Sequence, residues 1–93
     1  MNIKNFQNET VVAICDSDLM GEIFKEGRLK LEVTEKFYGN KLVKLKDCVE
    51  ILKNIANANI VGKKIVDTAV KLGLVHEQSI LYVDNIPHAI IIF

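Results

Sequence analysis

The sequence predicts an α+β fold: a small mixed sheet of about four strands with helices packed on one face, in the order β-α-β-α-α-β-β. Three observations predict it. Val11-Val12-Ala13-Ile14-Cys15 is a β-branched apolar run. Arg28 to Thr34 alternates polar and apolar residues strictly, the period of a half-buried strand. Between residues 45 and 72 the apolar residues recur instead at three and four, the period of a helix.

The elements follow in chain order. The first strand, 11–15, ends at Asp16. Asp16-Ser17-Asp18 offers capping oxygens to a short helix carrying Leu19, Met20, Ile23 and Phe24, with Gly27 as its stop. The strand of residues 28–34 should point Leu29, Leu31 and Val33 inward, and Phe37-Tyr38-Gly39-Asn40 is expected to turn. Leu45, Val49, Leu52 and Ala56 form one face of a helix that Asp47 helps to start, and Asn57-Ala58-Asn59 is expected to break it. A second helix should follow Gly62 with Ile65, Val66, Ala69, Val70 and Leu72 inward, closed by Gly73. Ser79–Val83 is read as a strand, Asp84-Asn85 as a turn, and Ala89–Phe93 as a final strand.

The chain has 93 residues, 49% of them hydrophobic and 26% charged. That composition is globular and sufficient for a single domain, 1–93. So short a chain has little room for a deep enzyme cleft, which favours a binding module or a subunit. Twelve basic groups balance twelve acidic ones, but unevenly along the chain. Residues 28–71 carry ten basic and five acidic groups, a surplus of five positive charges, while both ends are acidic. Cys15 and Cys48 stand among apolar neighbours with no CxxC or Cys/His cluster, so they are expected to be buried, reduced thiols with no metal. The polar N-terminus lacks the apolar core of a signal peptide, and the longest apolar run, 89–93, is too short to span a bilayer. A cytoplasmic protein without a membrane segment is expected.

Several blocks carry a family resemblance: Val12-Ala13-Ile14-Cys15-Asp16 with Leu19 and Gly21, Leu31-Glu32-Val33, and Glu35-Lys36-Phe37-Tyr38-Gly39. They continue through Ala58-Asn59-Ile60-Val61-Gly62, Gly73-Leu74-Val75 and Ile86-Pro87-His88-Ala89. In this order they resemble the archaeal domain-of-unknown-function 424 family over nearly the whole chain. The family pattern usually places glutamine after Pro-His-Ala, where this chain has Ile90. The resemblance implies a small intracellular archaeal protein and brings no activity, cofactor or metal with it.

Four candidate sites emerge. Residues 36–46 hold Lys36, Lys41, Lys44 and Lys46 with no acid, and enclose Phe37, Tyr38 and Gly39. Lysines suit phosphates and an exposed aromatic suits an unpaired base, whereas core aromatics beside solvated lysines are the plainer account. With no arginine among the four, sequence-specific readout is not expected. Helix, break, helix and hairpin is also the order of a winged helix, with Lys63, Lys64 and Lys71 on the second helix, although that helix lacks Arg, Gln and Ser for base edges. Pro87-His88 offers an imidazole on a stiffened backbone, either a ligand contact or general base or a local hydrogen-bonding group at a strand entry. Asp16 and Asp18 suit either capping or Mg²⁺, and the five scattered glycines form no phosphate loop.

The leading expectation is a non-enzymatic RNA- or ribonucleoprotein-binding module associated with translation or RNA processing. Its candidate contacts are Lys36, Phe37, Tyr38, Gly39, Lys41, Lys44, Lys46, Asn59, Pro87 and His88. The alternatives are a small enzyme or enzyme subunit using His88 near a carboxylate, and a protein-interaction module or homo-oligomer joined through the apolar C-terminus.

Overall fold

The computed structural model describes residues 1–6, 8–54 and 57–92. Two expected positions, Ala56 in the central helix and Phe93 in the last strand, lie outside them. The chain is α+β. A five-stranded sheet runs in the order β1-β2-β5-β7-β6, with β1 Asn2–Phe6, β2 Glu9–Cys15, β5 Asn57–Val61, β6 Leu81–Val83 and β7 Ile86–Ile92. A separate hairpin joins β3 Ile23–Glu26 to β4 Leu29–Glu32. The helices are α1 Glu35–Tyr38, α2 Leu45–Asn54 and α3 Lys63–Lys71. The β2–β5 pair is parallel and every other pair antiparallel.

The sheet has two differently covered faces. Val12, Ile14, Ala58, Ile60, Ala89 and Ile91 alternate onto one, against Cys48 and Leu52 of α2 and Ile65, Val66 and Ala69 of α3. The opposite face carries Ala13, Val61 and Val83, against Leu31 of the hairpin, Val33 and Tyr38 of α1. Both long helices therefore share a face, as expected.

Five local expectations change. The segment after Asp16 makes only a 3-10 turn, Ser17–Leu19, before entering β3. Ile23 and Phe24, spaced for a helix, instead alternate in a hairpin whose turn holds Gly27 at φ +60°. Phe37 and Tyr38 end a one-turn helix, capped by the Thr34 side chain at the amide of Phe37. The polar Asn2–Phe6 segment becomes an edge strand, which raises the strand count.

Most consequential is Asn57-Ala58-Asn59, which does not break a helix but opens the central strand β5. Ala58 faces the core while its two asparagines face the other side. A strand thus separates α2 from α3, and the described residues form no helix-turn-helix or winged helix. Three residues expected to point inward are also exposed: Leu29, Leu45 and Leu72. In α2 the packed face is rotated onto Cys48, Ile51 and Leu52.

Candidate functional site

The sequence candidates do not come together at one place. Tyr38, Asn59 and His88 meet on the second face of the sheet. In the sheet register Asn59 lies opposite Ala13 and Ile90, and His88 opposite Val61 and Leu81. Asn59 and His88 are diagonal neighbours on adjacent strands, a spacing that side chains of their length can bridge. The Tyr38 hydroxyl donates to Asn59 Oδ1 at 2.9 Å, and His88 Nε2 lies 3.0 Å from the same oxygen. The amide oxygen accepts from both, which assigns the His88 proton to Nε2. Burial holds the His88 imidazole below its ordinary pKa, so it is neutral at pH 7. Burial, with a smaller contribution from Cys15, pushes Tyr38 up to about 12 and keeps it a donor.

One of the two expectations for His88 was a local hydrogen bond at a strand entry. His88 lies inside β7, which begins at Ile86, and bonds a side-chain amide. An orienting carboxylate, which the enzyme alternative needs, is absent from its hydrogen bonds among the described residues.

Phe37 and Tyr38 offer no platform for a base. Tyr38 is 3% exposed. Phe37 is half-buried, packed edge-on against Tyr38 with ring centres 4.8 Å apart, and its ring is covered by Lys4 Nζ at 4.7 Å. Gly39, at φ +75°, admits no side chain because a Cβ there would lie 2.7 Å from the Met1 carbonyl oxygen.

The second place is a cleft of about 270 Å³ at the carboxyl ends of the parallel strands β2 and β5. Ile14, Cys15, Cys48 and Ile65 give it an apolar lining, and Lys41 and Lys64 line it too. Lys44 and Lys46 alternate in sequence with its lining residues Val43 and Leu45. Lys36, Lys41, Lys44, Lys46 and Lys64 are all exposed. The ion pairs among the described residues engage other lysines: Lys30 with Glu32, Lys53 with Glu50, and Lys71 with Asp67.

Asp16 also lines this cleft, but its charge is already committed. Its Oδ2 accepts from the Lys64 amide at 2.9 Å and its Oδ1 from the Ile65 amide at 3.1 Å, capping α3 from 48 residues away. Asp16 was expected to cap the segment that follows it, and the 3-10 turn there receives no side-chain cap. Gly62 makes the long-range cap possible: it has φ +119°, and a Cβ there would overlap the Asp16 carboxylate. Both thiols line the cleft with pKa values raised chiefly by burial, so they are protonated at neutral pH. They are free cysteines. Cys48 is buried, while Cys15, expected to be buried, is only partly so.

Pro87 is buried on the helix-covered face and lines a second, wider groove of about 780 Å³ with Lys63, Lys64 and Tyr82. Tyr82 is 53% exposed, and it is the residue that reading by segment missed. The strand reading of Ser79–Val83 included it, but only the tertiary structure shows how much of it is exposed. His76 is exposed and accepts from the Gln78 amide at a 3-10 turn.

Residues 4–93 match a family described as a protein of unknown function, DUF424. No curated protein matches the sequence. Among solved structures, the chain is similar to an uncharacterized conserved protein from Methanopyrus kandleri, at 26% identity and a TM-score of 0.76. That likeness covers 97% of this chain and 86% of the other. Among the described residues, no helix is long and apolar enough to cross a membrane.

Proposed function

Because this chain belongs to the DUF424 family, whose description assigns no activity, we infer its function from its own surface: it is an RNA-binding module that holds phosphates along the lysine rim of the cleft at the ends of β2 and β5. The observation that carries this reading is the set of exposed lysines, Lys41, Lys44, Lys46 and Lys64, none ion-paired among the described residues and all in or beside one cleft. A chain with no net charge thereby concentrates positive potential at one place. The one acid among the cleft's lining residues, Asp16, gives both oxygens to α3 amides, while Asp18 and Asp47 lie near the cleft as well. The Tyr38–Asn59–His88 cluster then serves as a structural clasp between α1 and the sheet.

Fluorescence anisotropy with mixed RNA at low and moderate salt tests this. Binding should weaken with salt by about 0.7 log units per contacted phosphate for each log unit of salt, hence a slope of about −3 for four contacts. Changing Lys41, Lys44 and Lys46 together to Glu should abolish binding while leaving the melting temperature near that of the wild type. Absence of RNA binding by the wild type at low salt would overturn the reading.

One observation favours self-association as a second reading. Ile90 and Ile92 are 59% and 75% exposed on β7, and β6 pairs only with Ile86–His88, so it leaves the outer edge of β7 open from Ala89 onward. Sedimentation of the wild type against Ile90→Lys tests it, and a monomer in both cases removes it.

A further inference from the structure

We propose that the RNA is taken up as a single strand, along a track formed by the cleft and the wider groove where they meet at Lys64, with Tyr82 as the platform on which one base stacks. This specifies the ligand of the RNA-binding reading above and rests on it.

Lys64 lines both depressions. Lys63 and Tyr82 also line the groove, with Val66, Val70 and Pro87 as its apolar lining. Tyr82 is half in solvent on an edge strand, and its hydroxyl makes no hydrogen bond among the described residues. An exposed aromatic ring beside cations that track a backbone is the combination that holds unpaired nucleic acid, because every base has a face to stack. It also supplies what Phe37 and Tyr38 cannot.

The acids among the residues lining the track are Asp16, Asp67 and Glu77, and Asp18 and Asp47 lie close enough to the cleft to act on its thiols. Asp16 is committed to α3, and Asp67 pairs with Lys71 at 3.0 Å. In the groove itself that leaves Glu77, so the strand should follow the Lys63 side there. A duplex fits poorly. Its bases are stacked within and out of reach of Tyr82, and α3 packs its apolar side on the sheet rather than projecting as a groove-reading helix.

The experiment compares an unstructured oligoribonucleotide with a fully paired RNA duplex, by anisotropy, on the wild type, Tyr82→Ala and Tyr82→Phe. Thermal melts check that each variant is folded. The single strand should bind more tightly than the duplex. Tyr82→Ala should weaken single-strand binding by about tenfold or more and leave duplex binding unchanged, whereas Tyr82→Phe should bind as the wild type. A Tyr82→Trp reporter, excited beyond the absorption of the nucleic acid, should lose emission as the base stacks. Equal binding of both RNAs, or full affinity in Tyr82→Ala, would overturn this proposal while leaving RNA binding intact. Binding of neither RNA would overturn the RNA-binding reading and this proposal with it.

Discussion

An asparagine between Ala13 and Ile90, in the middle strand of a sheet, must place an acceptor and two donors, and Asn59 gives its oxygen to Tyr38 and His88. Losing either donor should cost about 1 kcal/mol, the usual net value of one hydrogen bond. His88→Ala should therefore lower stability to denaturant by about that much and leave RNA binding unchanged. Native stability with lost binding would move the functional site to His88. The imidazole also sets a pH dependence. Its folded pKa lies below its unfolded value of about 6.5. Above the unfolded value both states are neutral, and the stability is fully present. As pH falls through the window between the two values, the unfolded state gains its proton first and stability declines. Melts from pH 7 downward should show that decline, and His88→Phe should lack it. At this scale the sequence was partly legible. It marked Tyr38, Asn59 and His88 as separate candidates in three blocks. Their meeting depends on register, which no local pattern states.

Elements were legible wherever their period was strong. The apolar run of β2, the alternation of β4 and the helical spacing of α3 all became the elements they resembled. Where tertiary context overrides propensity, the reading failed. Asn57 and Asn59 look like breakers, yet they lie in β5 with their side chains on the partly covered face. Leu19 to Phe24 has helical spacing, but hairpin pairing with β4 takes Ile23 and Phe24. The cap of α3 was likewise unreadable, because its acceptor carboxylate and its two donor amides stand 48 and 49 residues apart. Asp16→Ala should cost about 0.5–2 kcal/mol, the range of a lost N-cap. Gly62→Ala should cost more, since it adds strain at φ +119° and pushes Asp16 off the helix. Chemical denaturation orders the two, and a milder Gly62→Ala would refute the cap geometry.

Across the whole molecule, the parallel pairing of β2 with β5 places Asp16 beside Gly62, and therefore forms the lysine-rimmed cleft and the cap together. Thiol chemistry reads the integrity of that arrangement. In the native state Cys48, 4% exposed, should label more slowly than the partly buried Cys15, and equal rates would show that α2 is not seated on the sheet. The shared origin of cleft and cap also has a kinetic consequence. A helix of nine residues entered through glycine, with no capping side chain of its own, has little tendency to form alone. It gains its N-terminal partner only after two strands distant in sequence have paired, a costly non-local closure. The Asp16 contacts should thus be absent when the folding barrier is crossed. In stopped-flow measurements Asp16→Ala should accelerate unfolding and scarcely slow folding, a φ-value near zero. The last part of the chain to lock would then be the mouth of the cleft, and it would be the first to open.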